Sequence, residues 1–356
     1  CVGWGMNRIY VGQAVDGLIR MKSDGCVAST CVTSPPYFGL RDYGVNGQIG
    51  LEDSPREYID RLVGVFSRVW DVLSDDGTLW VNIADSYASS GGGRDRGKYG
   101  KGSKLQGSTT NEDAGIECRV SPGLGVKAKD LIGIPWMFAF AMRDAGWYLR
   151  QEIIWSKPNP MPESVTDRCT NSHEKIFLFS KKPRYYFDAE AIKEDSVYAE
   201  DSPARSFSGD SSKPLVPGQG HINGRRNYRP TTQERYAKGE PTRHGLAGAA
   251  ACGSGGYGLD PNGKRNKRSV WDVATKPYKG AHFAVFPEEL ITPCILAGCP
   301  RDGFVLDPFM GSGTTAMVAT QNGRGFYGCE LNSEYVPLQK NRLGLFQGNT
   351  EWVDVR

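Results

Sequence analysis

Thr33-Ser34-Pro35-Pro36-Tyr37 is the stretch on which the reading of this chain turns. The residues ahead of it, Cys26-Val27-Ala28-Ser29-Thr30-Cys31-Val32, form a short, mostly apolar, partly β-branched run. Such a run suits a buried parallel strand better than an amphipathic helix. Two prolines then end the strand. Neither carries an N–H and both fix φ, so the carbonyls just before them point outward from a stiff turn. A hydroxyl, a free carbonyl and an aromatic ring thus meet at the carboxyl end of a strand, where open α/β sheets bind ligands. The set can accept hydrogen bonds from a planar amine and stack on the ring that bears it. A plain Pro-Pro turn with Tyr37 as a packing residue would have the same local sequence.

A second stretch separates these readings. Gly303-Phe304-Val305-Leu306-Asp307-Pro308-Phe309-Met310-Gly311-Ser312-Gly313-Thr314-Thr315 runs strand, glycine turn, helix start. Glycines at 311 and 313 let backbone N–H groups approach a ligand closely. The next strand, Gly325 to Glu330, ends in an acid about 20 residues on, as a ribose-binding carboxylate does in nucleotide folds. No Lys follows the turn, which excludes a Walker loop, and the Gly-x-Gly-x-x-Gly spacing is incomplete. A nucleoside-type site for a ligand with a cationic or neutral tail remains.

Taken together, Ser34-Pro35-Pro36-Tyr37 and Asp307-Pro308-Phe309-x-Gly311-x-Gly313 resemble the S-adenosylmethionine-dependent DNA methyltransferases that modify exocyclic amines. The catalytic motif lies N-terminal to the cofactor motif, which is the permuted order of that family's β group. Further matches are Asp76 to Ile83, Trp155 to Asn159, Ser172 to Phe179 and His282 to Leu290. The resemblance covers roughly two thirds of the chain. It implies an α/β fold: a Rossmann-like, seven-stranded, mostly parallel methyltransferase sheet with permuted chain order and an inserted target-recognition region. Residues 1–188 would be the catalytic half of the core, 189–280 the target-recognition region and 281–356 the cofactor-binding half.

Composition fits this reading without requiring it. The chain has 356 residues and a net charge of +3. No apolar run approaches the length of a membrane helix, and the N-terminal residues show no signal pattern. Nine cysteines are scattered without metal-ligand spacing, as expected of reduced thiols, and no metal is expected. Charge is unevenly placed. Between Arg205 and Lys279 fourteen Lys/Arg face five acids, an excess of nine that leaves the rest of the chain at −6. A basic segment on an acidic body suggests a polyanion contact, although a solvated insertion has the same composition. Arg225, Arg226, Arg229, Lys264, Arg265, Lys267 and Arg268 are the candidate DNA contacts there.

Along the chain, Arg8 to Gly12 reads as a strand, and the following Gln13, with Asp16 as substitute, falls where the family approaches the adenine of the cofactor. Pro55 to about Leu73 is predicted helical, with Asp53 or Ser54 as cap and Tyr58, Leu62, Val65, Phe66 and Val69 on a buried face. Asp75-Asp76-Gly77 reads as a turn before a strand over 78–84. Asp85 then either lines the site or caps a helix. Residues 88–129 read as a long mobile insertion. A helix is expected from Lys129 or Asp130 to Ala145, then strands over 147–155 and 175–180, which the resemblance implies pair as an antiparallel hairpin. His173 is read as structural. Helices are expected over 287–298, 314–322 and 333–343, with 344–356 as a surface extension. The resemblance assigns cofactor contacts to Gln13, Phe283, Asp307, Phe309, Gly311, Gly313, Thr314 and Glu330.

The expected reaction is transfer of the cofactor's methyl group to an exocyclic amine of a base flipped from duplex DNA. Ser34 Oγ and the Pro35 carbonyl accept the amine hydrogens, Pro36 stiffens the turn and Tyr37 stacks on the base. Ser at the first motif position resembles the cytosine-N4 enzymes; adenine-N6 is the alternative. Cytosine carbon-5 chemistry is disfavoured, because Pro293-Cys294 falls inside a predicted helix. An RNA or protein amine methyltransferase and a non-catalytic DNA-binding module remain as competing classes. A restriction-modification enzyme of this type is expected in the cytoplasm at the nucleoid, with a cognate restriction endonuclease and a homodimer as partners to test.

Overall fold

The computed structural model describes residues 6–40, 42, 44–89, 118–119, 126–195, 264–275, 286–344 and 349–356. In chain order these form β1 (Asn7–Val11), α1 (Ala14–Ser23), β2 (Ala28–Thr33), α2 (Pro55–Val72), β3 (Leu73–Ile83), β4 (Ala88–Ser89), β5 (Cys118–Arg119), α3 (Ile134–Asp144), β6 (Tyr148–Ser156), β7 (His173–Ser180), β8 (Glu194–Asp195), β9 (Lys264–Arg265), β10 (Val270–Asp272), α4 (Glu288–Gly298), β11 (Phe304–Asp307), α5 (Thr314–Gln321), β12 (Gly325–Glu330), α6 (Val336–Leu343) and β13 (Thr350–Asp354).

Among the described residues nine strands make one sheet, in the order β10-β6-β7-β3-β2-β11-β12-β1-β13. All neighbours are parallel except β7, which runs antiparallel to both β3 and β6. The seven expected strands form the middle, and β10 and β13 extend its two edges. The last element corrects the surface extension read at 344–356. β13 pairs in parallel with β1, Ile9 opposite Trp352, and so covers an edge that would otherwise expose unpaired backbone.

Period-2 alternation of apolar side chains gives the sheet two buried faces. Cys31, Leu79, Phe177, Leu306 and Tyr327 point toward α1, α2 and α3. Val32, Trp80, Leu178, Val305 and Phe326 point toward α4 and α5. The result is a three-layer α/β/α sandwich.

Local chemistry sets the helix starts. Ser54 accepts the Glu57 N–H (3.2 Å) and Pro55 occupies the first turn of α2. α3 begins at Ile134, later than the predicted 129 or 130. Gly133 there has φ +83°, and Asp85 Oδ1 accepts the N–H groups of Gly133 and Ile134 (2.9 and 3.0 Å). The helix predicted over 333–343 is split into a 3-10 turn at Ser333–Tyr335 and α6, since Pro337 cannot donate the next helical hydrogen bond. Asp75-Asp76-Gly77, read as a turn, lies within β3.

The chain divides into two compact units, Cys1–Ile192 with Lys267–Arg356, and Lys193–Asn266. In the second, the described residues form the antiparallel ribbon β8–β9. No described helix is long and apolar enough to cross a membrane.

Candidate active site

The strand order makes β2 and β11 neighbours, and both motifs leave the sheet at the same edge of carboxyl ends. One buried carboxylate joins them. Asp307 Oδ1 accepts the Thr33 hydroxyl (2.6 Å) and the Phe309 N–H (3.0 Å), and Oδ2 accepts the Thr315 hydroxyl (2.7 Å). Burial raises its pKa to about 6 against these three hydrogen bonds. Through these bonds Asp307 ties the two motifs together.

The glycine turn is shaped by backbone conformation. Gly311 and Gly313 have φ +53° and +84°, a region that costs any L side chain energy. The Gly311 N–H donates to Glu330 Oε2 (2.7 Å), and the Asn332 N–H donates to Oε1 (2.8 Å). Burial pushes Glu330 up to about 7, opposed by those N–H groups. Phe309 packs edge-on to Phe66, with ring centroids 6.4 Å apart, and Thr314 opens α5 in a buried position. Beyond the carboxyl ends of β1 and β12 lies a cleft of ≈ 520 Å³, lined by Gly12, Gln13, Asp16, Asn46, Leu331 and Arg356. Gln13 therefore lies on this cleft, whereas Phe283 falls outside the described residues.

The Ser34–Tyr37 turn rests on a polar network that the motif does not itself reveal. Ser34 Oγ donates to Tyr37 Oη (3.4 Å), and Tyr37 Oη donates to Glu174 Oε2 (2.7 Å), with Asn82 Oδ1 further off at 3.3 Å. Asn82 Nδ2 donates to the same Glu174 oxygen (3.0 Å), and the Lys157 ammonium pairs with the other. Burial, then the Glu174 charge, holds the Tyr37 hydroxyl well above its usual pKa. The Pro36 carbonyl accepts the Tyr58 hydroxyl (2.8 Å). Among the described residues none donates to the Pro35 carbonyl, which leaves it available to a ligand.

Asn82, Lys157 and Glu174 are the functional candidates that sequence reasoning left without a role. Their signal was a polar side chain at the end of an apolar strand run, in β3 and β7, and just past β6. Asp85 proves to be a helix cap. Its Oδ2 is buried without a partner among the described residues, beside a hollow of ≈ 70 Å³ that His173, Glu174 and Lys175 also line. Cys294 is buried within α4, where desolvation keeps its thiol protonated; this leaves no nucleophile for carbon-5 chemistry at that position.

Of the proposed DNA contacts, Arg225, Arg226 and Arg229 lie outside the described residues, as does most of the 88–129 insertion. Lys264 and Arg265 form β9, where Arg265 Nε is 3.0 Å from Glu194 of β8, so that guanidinium helps hold the ribbon. Lys267 lies over the Trp271 ring at 5.1 Å, and the Arg268 carbonyl accepts the Trp271 N–H (2.6 Å). Among the described residues no cluster of His, Cys, Asp and Glu could hold a metal ion.

Comparison with known proteins adds four findings. The family profile described as DNA methylase, of the N6/N4 type, matches residues 28–341. The chain is 41% identical over 337 residues to the type II methyltransferase M.Cfr9I of Citrobacter freundii, covering 94% of this chain and 87% of that protein. It is 41% identical over 336 residues to the type II methyltransferase M.SmaI of Serratia marcescens, covering 94% and 90%. Among solved structures, the cytosine-N4-specific PvuII DNA methyltransferase has the same fold, with a TM-score of 0.52 at 17% identity, covering 95% of this chain and 86% of that one.

Proposed function

Because this chain belongs to the DNA methylase family of N6- and N4-methyltransferases, we propose that it methylates the exocyclic N4 of cytosine at a specific site in duplex DNA. The observation that carries the reading is the tie between motifs: Asp307 holds the Ser34–Tyr37 turn and the glycine turn at one edge of the sheet.

The cofactor is S-adenosylmethionine, and the donor set suits it. Glu330 at the end of β12 is placed for a ribose diol, and Gln13 and Asp16 on the cleft offer partners for an adenine edge. The turn lacks the lysine a phosphate tail would call for, which agrees with a cationic sulfonium. When bound, S-adenosylmethionine supplies an electrophilic methyl group. The chain's own residues aim the acceptor. Ser34 Oγ and the Pro35 carbonyl accept the two amine hydrogens, which localises the nitrogen lone pair and stabilises charge developing there. Tyr37 stacks on the base, Pro36 keeps the turn rigid, and Tyr58 holds the Pro36 carbonyl away from the substrate. Pulling a base from the stack costs a few kcal/mol, which contacts in the pocket and the recognition region must offset.

The catalytic-before-cofactor order of the motifs supports placement in the permuted β group. Residues 189–280 form the recognition region, with Arg225, Arg226, Arg229, Lys264, Lys267 and Arg268 toward phosphates and bases. The relatives' type II designation supports a role in restriction-modification beside a cognate endonuclease.

The test is methyl transfer from labelled S-adenosylmethionine to unmethylated mixed-sequence duplex DNA, followed by nucleoside mass spectrometry. N4-methylcytosine is expected. N6-methyladenine would retain fold, site and cofactor but refute Ser34 as the mark of cytosine. In the same assay Ser34→Ala should lower turnover about 100-fold, with cofactor affinity nearly unchanged; wild-type turnover in the variant would remove Ser34 from the mechanism.

A further inference from the structure

Glu174 is the end point of a hydrogen-bonded chain that starts at the reacting site. Paired with the Lys157 ammonium, its carboxylate oxygens serve as hydrogen-bond acceptors. The 2.7 Å bond to Tyr37 therefore takes the phenol's only proton. Tyr37 Oη is left with lone pairs, and the Ser34 hydroxyl 3.4 Å away can meet it only by donating. With its proton given to Tyr37, Ser34 Oγ keeps its own lone pairs for accepting.

The carboxylate is held from several strands at once. Asn82 of β3 donates to the oxygen that Tyr37 uses. Lys157, just past β6, pairs with the other oxygen, and the two side chains are 20% and 11% exposed. The Lys157 ammonium sits 4.5 Å from the centre of the Trp155 ring. That segment is itself fastened: Trp155 Nε1 donates to the Val273 carbonyl (2.8 Å), and Asn159 exchanges two hydrogen bonds with the Thr275 backbone (3.0 and 2.9 Å). The anchor of Tyr37 is thus built from β3, β6 and β7 and braced by the segment after β10.

We propose that Glu174 is a positioning residue for methyl transfer: it fixes the Tyr37 ring and orders the Ser34–Tyr37 hydrogen bonds so that Ser34 presents lone pairs to the target amine. This rests on the proposed amine methylation. Lys157 and Asn82 hold Glu174 in place. A neutral amide at position 174 can turn its NH2 group toward Tyr37, which reverses the chain and points the Ser34 proton at the amine.

The experiment compares wild type, Glu174→Gln, Tyr37→Phe and the double variant as purified full-length chains. Steady-state methyl transfer to unmethylated mixed-sequence duplex DNA is measured along with S-adenosylmethionine affinity. Glu174→Gln should lower kcat about 10- to 100-fold, the rate equivalent of one charge-assisted hydrogen bond, with cofactor affinity and KM for DNA within about twofold. The double variant should be no slower than Tyr37→Phe, because both changes break one chain. A wild-type kcat in Glu174→Gln, or losses that multiply in the double variant, would overturn the proposal. A ring-13C tyrosine spectrum gives a readout independent of activity. The Tyr37 Cζ signal, assigned by its loss in Tyr37→Phe, should shift in Glu174→Gln; an unmoved signal refutes the anchor. If wild type transfers no methyl group to DNA, the proposed function fails, and the Cζ signal still decides whether Glu174 fixes Tyr37.

Discussion

Glu330 shows what a single residue contributes and what it costs. Its carboxylate accepts two N–H groups, yet burial dominates and lifts its pKa from 4.5 to about 7. The folded state therefore holds a proton that the unfolded state has released. Between pH 4.5 and about 7 the folded chain binds more protons, so stability must fall as pH rises through that window. Asp307, raised from 3.8 to about 6, acts in the same direction. Thermal unfolding of the cofactor-free protein should show Tm declining from pH 5 to 8, and Glu330→Gln should flatten the decline. An equal slope in the variant would assign the effect to other groups. S-adenosylmethionine binding should strengthen over the same range, because the ionised carboxylate is the better acceptor for a ribose hydroxyl.

Helix α4 packs against the sheet through its last residue. A Cβ built at Gly298 would lie 2.6 Å from Thr78 Oγ1, 2.7 Å from Thr30 Oγ1 and 2.8 Å from Trp80 Nε1. Those three atoms belong to β2 and β3 and form one buried hydrogen-bonded group. Their strands cannot withdraw without disturbing the turn that ends β2. Gly298→Ala should therefore destabilise the fold by about 1–3 kcal/mol, read as a lowered midpoint in urea. A midpoint equal to wild type would mean that the helix end shifts freely. At the other edge, β13 supports the glycine turn. Trp352 Nε1 donates to Gln339 Oε1 (3.1 Å), and Gln339 Nε2 donates to the Gly311 carbonyl (2.9 Å). An element read as surface extension thus reaches the cofactor motif through one buried amide.

For the whole molecule the decisive feature is uneven charge: nine excess positive charges between Arg205 and Lys279, on a body of net −6. If the basic segment meets the phosphate backbone, affinity for mixed-sequence duplex DNA must fall as salt displaces released counterions. The log–log slope should lose about 0.9 for each phosphate contact removed. Neutralising Arg225, Arg226 and Arg229 to Ala should reduce that slope, while S-adenosylmethionine affinity stays at the wild-type value. An unchanged slope would move the DNA contact elsewhere. Arg265 is expected to behave differently, since its bond to Glu194 makes its loss a matter of the β8–β9 ribbon.

The motifs themselves were legible without coordinates. Pro35 and Pro36 end a strand wherever they stand, and Gly311 and Gly313 mark a turn that side chains resist, because these constraints are local to the backbone. The strand runs of β6 and β7 and the buried face of α2 followed from apolar periodicity for the same reason, and the antiparallel pairing of the two strands from the family resemblance. Strand neighbours are not local. Thr33 meets Asp307 across 274 positions and Tyr37 meets Glu174 across 137, so the clamp between motifs and the anchor beneath Tyr37 exist only once β2, β3, β7 and β11 lie side by side. Asp85 could be read from sequence as cap or site residue, and the arrival of Gly133 and Ile134 at its oxygen decided between them. Local sequence chose the chemical groups at the strand ends; the sheet order, which depends on burying both faces at once, chose which groups would touch.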